Sequence, residues 1–246
     1  MNTPKKPAPT DDDMTRLSGW DALLDDLFGL NVRAVTTLAV AVTRPARLFT
    51  AARDPDWNGK YTPSLRLVFT IIAATVVLRF LWADDSSPLI VSMVDYLSTV
   101  PPQDLPVQNV TEAARMLMNQ VLILFPFTYF LCHFFASLLV RIWDKGTPAP
   151  VRIRLYFVAL LPALTFGLLQ TVPYSFVPAE LLDAVTFAGF AIAMLLYAAT
   201  IYFGLKPVYA SCGRAWRAGL FAIVAVTTDL VIAMVTFTLA FVLMYV

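Results

Sequence analysis

One histidine and one aspartate lie deep within long apolar segments of the sequence. Asp229 is about twelve residues into the last apolar run, near the middle of a bilayer, where an unpaired charge costs at least several kcal/mol. His133, the single imidazole, lies roughly eight residues before Arg141, so the two side chains reach a similar depth if their helices are adjacent. Such a pair can relay protons or form a structural hydrogen bond between helices, and the sequence leaves both open.

A second candidate pair consists of Arg79 and Asp183, which lie near the same end of two other apolar runs. A salt bridge between them at the outer ends of their helices is geometrically possible. Each side chain can instead extend to its own membrane interface, because charged side chains bury their stems and keep their head groups in water. The second interpretation is the simpler one.

The remaining residue types do not predict an enzyme. Cys132 and Cys212 are the two cysteines, and together with His133 they make neither a disulfide framework nor a zinc-ligand set. The sequence contains no nucleophile elbow, zinc-protease helix, P-loop or dinucleotide fingerprint. We therefore expect no catalytic residue, no metal and no cofactor.

The composition requires lipid as a solvent. Of the 246 residues, 59% are hydrophobic, and the mean hydropathy is +0.70. A soluble domain of this length cannot cover so much apolar material with polar surface. The net charge of +1 argues against a nucleic-acid partner, so none is expected.

Five apolar runs are long enough to cross the roughly 30 Å hydrocarbon layer at about 1.5 Å per residue. They cover approximately residues 65–82, 121–143, 155–172, 181–205 and 218–246. The predicted fold class is all-α, a polytopic membrane bundle of about five transmembrane helices within residues 59–246. Asn109, followed by Glu112, predicts a capping box that begins a helix ahead of the second span.

The N-terminal region is polar and then amphipathic. Residues 1–13 have the composition of a disordered tail, and residues 14–58 predict short amphipathic helices that precede the bundle on its cytoplasmic side. None of these helices is long enough to span, so we expect them in the membrane interface, beside anionic lipid. The candidate lipid-headgroup contacts are Arg33, Arg44, Arg47 and Arg53. Alternatively, these helices fold onto the cytoplasmic ends of the bundle.

The distribution of basic residues predicts the orientation of the bundle. Lys and Arg concentrate before the first span and in the second and fourth loops, whereas the first loop is acidic. The basic side is expected to be cytoplasmic, which places the N-terminus inside and the C-terminus outside. Aromatic residues near the predicted span ends, Tyr156 among them, are expected to lie at the membrane interface.

Short motifs occur before the first span and between the last two. They are Arg44-Pro45, Gly59-Lys60-Tyr61-Thr62-Pro63, Tyr197, Tyr202, Val208-Tyr209 and Gly213-Arg214-Ala215-Trp216. In these motifs the chain resembles the Yip-type family of small polytopic membrane proteins and its bacterial relatives of unassigned function, over most of residues 40–246. The resemblance implies five spans, a cytoplasmic N-terminus and a role in membrane organisation or trafficking. The expected location is the bacterial cytoplasmic (inner) membrane. It supplies no catalytic residue, and the long amphipathic N-terminal region departs from it.

Two functions remain open from the sequence. The first is a non-enzymatic scaffold or adaptor, in which the N-terminal helices bind anionic lipid or a cytoplasmic protein partner. The second is a small transporter or proton-coupled permease subunit that uses Asp229 and His133. Because five spans supply a single repeat, a transporter would need a partner subunit or a parallel homo-oligomer.

Overall fold

The structure is a computed structural model that describes residues 32–54, 61–81, 87–107 and 109–245. These residues contain eight α-helices. The helices are α1 (Val32–Thr43), α2 (Pro45–Ala51), α3 (Ser64–Leu81), α4 (Pro88–Ser98), α5 (Val110–Leu139), α6 (Ala149–Tyr174), α7 (Leu182–Gly204) and α8 (Ser211–Leu243). Within these ranges no residue is in a strand. The predictions for residues 1–13, and for the part of residues 14–58 that precedes Val32, lie outside the described residues.

Five of the helices, α3, α5, α6, α7 and α8, are long and apolar enough to cross a membrane. Much of their outward surface is also apolar, and Phe127, Phe187 and Met234 are exposed over 67%, 74% and 71% of their surfaces. Exposed apolar area of this extent, on helices of this length, is typical of a surface that contacts lipid. The chain is therefore an integral membrane protein, and the predicted all-α bundle of five long helices is confirmed.

Two of these helices, α5 and α8, begin well before the apolar runs that predicted them, and a side-chain cap marks the start of α5. The Asn109 side chain accepts hydrogen bonds from the backbone N–H groups of Thr111, at 2.9 Å, and Glu112, at 3.4 Å. Helix α5 therefore begins at Val110, well before the apolar run that starts near residue 121. Helix α8 likewise begins at Ser211 rather than near residue 218. Hydropathy reports the membrane-buried part of a helix, whereas backbone hydrogen bonding continues into its polar first turns.

Helix α6 lies at the centre of the bundle, in contact with α3, α5 and α7. Every residue from Leu155 to Ala163 is buried. Successive long helices alternate in direction, so α1, α2 and the α5–α6 and α7–α8 loops share one end of the bundle. We call this the basic end, because it carries Arg141, Lys145 and Lys206. The opposite end, which includes α4, is the distal end.

Helices α1 and α2 pack onto the basic end, where α1 contacts α6 and α2 contacts α7. The Thr37 hydroxyl accepts a buried hydrogen bond of 3.0 Å from the backbone N–H of Thr62. Leu48 and Phe49 are completely buried. Of the two placements that the sequence left open, the structure shows these helices folded against the end of the bundle.

Phe49 anchors α2 to the last turn of α7. A Cβ atom added at Gly204 would lie 2.8 Å from the Phe49 ring, so the ring occupies the space that a side chain at this position would need. The same ring lies 6.2 Å from that of Trp143, centroid to centroid, in the α5–α6 loop. Gly204 is therefore required for close approach between helices.

We expect Gly204→Ala to lower the free energy of unfolding by about 1–3 kcal/mol, because the added methyl group forces Phe49 out of a packed site. Denaturant titration in detergent micelles measures this change. Gly167→Ala is the matched control, since nothing lies within 4 Å of a Cβ at Gly167, and it should be neutral or stabilising. Equal effects of the two substitutions would contradict the proposed role of Gly204.

Candidate functional site

His133 and Asp229 meet in the interior of the bundle. His133 lies on α5 with its side chain completely buried, and its Nε2 is 3.0 Å from Oδ1 of Asp229 on α8. The Asp229 side chain retains 17% exposure. The structure thus brings together the pair that the sequence singled out.

Two tyrosines complete the arrangement. The hydroxyl of Tyr156, on α6, lies 3.0 Å from His133 Nδ1. The hydroxyl of Tyr197, on α7, donates a 3.0 Å hydrogen bond to Oδ2 of Asp229. We call these four residues, one from each of four spanning helices, the polar network.

Three of the four residues of the polar network lie nearer the basic end of their helices than the distal end. His133 precedes the end of α5 at Leu139, Tyr156 follows the start of α6, and Tyr197 precedes the end of α7. Each of the three is about two helical turns from the basic end of its own helix. Antiparallel neighbours place these positions at one depth, which is why the side chains meet.

The placement of Tyr156 corrects the expectation that it lies at the membrane interface. Its side chain is completely buried, because α1, α3 and α5 cover the first turns of α6. Tyr197 is also buried. In the sequence it stood out only as one of the motif residues that resemble the Yip-type family. The burial of both tyrosines could have been suspected from their chemistry, because a tyrosine inside an apolar run needs a hydrogen-bond partner for its hydroxyl.

The polar network has hydrogen-bond partners for His133 in both protonation states. An ionised carboxylate only accepts, so Nε2 of the neutral ring carries the hydrogen and donates it to Asp229, while Nδ1 accepts from Tyr156. When the ring gains a second proton, both nitrogens donate, and the Tyr156 oxygen accepts instead. Adding a proton therefore reverses one hydrogen bond and breaks none at the imidazole.

A cavity of about 410 Å³ connects the distal end of the bundle with the polar network. Arg79 and Tyr174 line it near the distal end, and Tyr129, Tyr197 and Asp229 line its base. The Tyr174 hydroxyl forms a hydrogen bond with Thr186, which joins α6 to α7 beside the same cavity. Asp229 and Tyr197 are therefore the two residues of the polar network that border an open space.

Tyr129 is a residue of this site that the sequence did not reveal. It is one turn before His133 on α5, and the two ring centroids are 4.3 Å apart. Its hydroxyl is buried, and the side chain of Tyr197 is its neighbour. Tyr129 also lines the cavity, so it contributes to the surface that a bound molecule would meet.

The structure does not join Arg79 to Asp183, the second pair considered from the sequence. Arg79 lines the distal part of the cavity near Tyr174, whereas Asp183 is exposed in the first turn of α7. Among the described residues, no ion pair links the two. They occupy the same end of the bundle, as predicted.

The candidate lipid-contacting arginines divide into two groups. Arg33, Arg44 and Arg47 are exposed at the basic end, where a membrane surface can reach them. Arg53 is half-buried and donates a 2.7 Å hydrogen bond to the backbone oxygen of Phe49. Burial lowers the pKa of Arg53, and the neighbouring Tyr209 partly opposes this. Lipid contact by these four residues stays a prediction.

A larger groove, of about 1070 Å³, lies between α3 and α6 but carries little chemistry. Its lining is almost wholly apolar, as in Phe69, Val77 and Leu169, and it is separate from the polar network. Apolar surfaces of this kind face lipid chains. Within the described ranges, His, Cys, Asp and Glu do not form a group of three or more that could hold a metal ion.

The polar network and its cavity therefore define the candidate site, which is built from four spanning helices and whose lining extends toward the distal end. Comparisons with protein families, curated proteins and solved structures found no match to this chain.

Proposed function

We propose that this integral membrane protein is a proton-coupled transporter, or one subunit of such a transporter, in which Asp229 and His133 carry the proton. The observation that supports this proposal is the contact between the polar network and the cavity. A hydrogen bond that only holds helices together needs no route to it from the aqueous side. A proton carrier does need such a route.

The chemistry of the polar network favours the same function. Histidine is the side chain whose unperturbed charge change falls between pH 5 and 8. The hydrogen bonds around His133 accommodate the neutral and the protonated ring, and Asp229 balances the added charge. We place the basic end in the cytoplasm of a bacterial cell, so the cavity opens to the outside, and we propose a parallel homo-oligomer as the assembly.

We expect the protein to give a transient current when the distal face is stepped from about pH 8 to about pH 6, because protons enter the buried site. Proteoliposomes adsorbed on a solid-supported electrode measure this current. Asp229→Asn should abolish it, since the variant cannot balance the charge of a protonated His133. Asp183→Asn, the same change at an exposed position, should leave the current intact.

The pH-step experiment has a clear contrary outcome. A current of equal size from Asp229→Asn and from the wild type would show that protons do not use this site, and the transport proposal would fail. Size-exclusion chromatography in detergent confirms that each variant is folded.

A scaffold or adaptor is the second candidate, and the exposed arginines of α1 and α2 favour it. Arg33, Arg44 and Arg47 present positive charge at the basic end, which suits an anionic lipid surface or an acidic protein partner. The resemblance to the Yip-type family points to the same role in membrane organisation. Both candidates are non-enzymatic, and the loss of the transport proposal would leave the scaffold as the preferred function.

A further inference from the structure

The base of the cavity combines a carboxylate with aromatic rings. Asp229 uses one oxygen for His133 and the other for Tyr197, and a carboxylate has about four lone-pair sites in all. Tyr129, Tyr197 and Phe125 supply rings around the same space. A carboxylate enclosed by aromatic faces is the chemistry that recognises organic ammonium ions.

The dimensions of the cavity suit an ammonium ion with an apolar body. Its lining on α6 runs from Ala163 to Tyr174, a rise of about 16 Å along the helix. The walls between are largely apolar, with Phe166, Phe190 and Ile232 among them. The cationic group Arg79 lies toward the distal end, so a cation at the base is held by Asp229 and kept apart from the arginine.

The charge of Asp229 has two possible partners at this position. The groups that face the His133–Asp229 pair are Tyr129 on α5, Tyr156 on α6 and Tyr197 on α7, with Arg79 of α3 farther along the cavity. When His133 is neutral, a cation in the cavity balances the carboxylate. When His133 is protonated, the imidazolium balances it from the opposite side and repels a second cation.

We propose that the base of this cavity binds an organic ammonium ion, and that this ion and the proton on His133 compete for the negative charge of Asp229. This inference rests on the proposed transport function and names the class of substrate. One cation enters as one proton leaves, so the net charge of the site stays constant. The protein thereby exchanges protons for organic cations.

Benzyltrimethylammonium is a suitable probe, because it combines a quaternary ammonium group with one aromatic ring. We expect saturable binding to the purified full chain in detergent, measured by equilibrium dialysis. The affinity should be several-fold higher at pH 8 than at pH 6, and binding should release protons into a weakly buffered solution. Asp229→Asn should lose the binding, and Asp183→Asn should keep it. His133→Gln should bind the probe with no dependence on pH.

Three results would overturn the inference. One is the absence of saturable binding at pH 8. Another is stronger binding of phenylmethanesulfonate, which would assign the cavity to anions through Arg79. The third is an affinity for benzyltrimethylammonium that does not change with pH. The pH-step current, recorded on the same preparation, separates the two proposals: a normal Asp229-dependent current without ammonium binding removes only this inference, and loss of the current removes the transport function itself.

Discussion

Asp229→Ala is expected to lower the free energy of unfolding by about 3 kcal/mol, because it leaves two buried donors without an acceptor. Those donors are Nε2–H of His133 and the hydroxyl of Tyr197. A single side-chain hydrogen bond inside a membrane protein contributes only about 0.6 kcal/mol on average. The larger value follows because this substitution removes both bonds at once and leaves their polar donors buried.

The measurement is a denaturant titration of the protein in mixed micelles, followed by circular dichroism. Tyr197→Phe removes one bond together with its donor, so it should cost about 1 kcal/mol or less. Asp183→Ala, at an exposed position in the first turn of α7, is the matched control and should change stability by about 0.5 kcal/mol at most. If Asp229→Ala costs no more than Asp183→Ala, the polar network does not hold the four helices together.

Patterns within one helix were predictable from the sequence. The five spans follow from apolar length, and the start of α5 follows from the cap at Asn109. The depths of His133 and Asp229 were also readable, because a charged or imidazole side chain in an apolar run is conspicuous. For this reason the sequence alone supports the hypothesis that His133 and Asp229 meet if their helices are neighbours.

Contacts that depend on which helices are neighbours were not predictable in the same way. Tyr156 has the sequence signature of an interfacial aromatic, and only the covering of α6 by other helices shows that it binds His133. The contact between Phe49 and Gly204 joins residues far apart in the sequence, without any charge or motif to mark it. Arg79 and Asp183 show the opposite case, in which a pair suggested by the sequence is not in contact. Equal depth on two helices does not bring side chains together when the helices face different neighbours.

The proposed transport function requires an aqueous route from the distal end of the bundle to the polar network. Ala193 tests it well, because it lines the cavity one turn before Tyr197 on α7. Ala191 is the matched control, at a similar depth but exposed on the outward face of the same helix and outside the cavity lining. The exposed native Cys212 reports the basic end.

The most direct measurement is the labelling of single-cysteine variants with a membrane-impermeant, charged methanethiosulfonate, added separately to each side of sealed vesicles. Ala193→Cys in a Cys132→Ser, Cys212→Ser background should react from the distal side alone, and Ala191→Cys should react from neither side, because lipid keeps its thiol from the reagent. Cys212, in a Cys132→Ser background, should react from the opposite side. Labelling of Ala193→Cys from neither side, or from the same side as Cys212, would contradict the account.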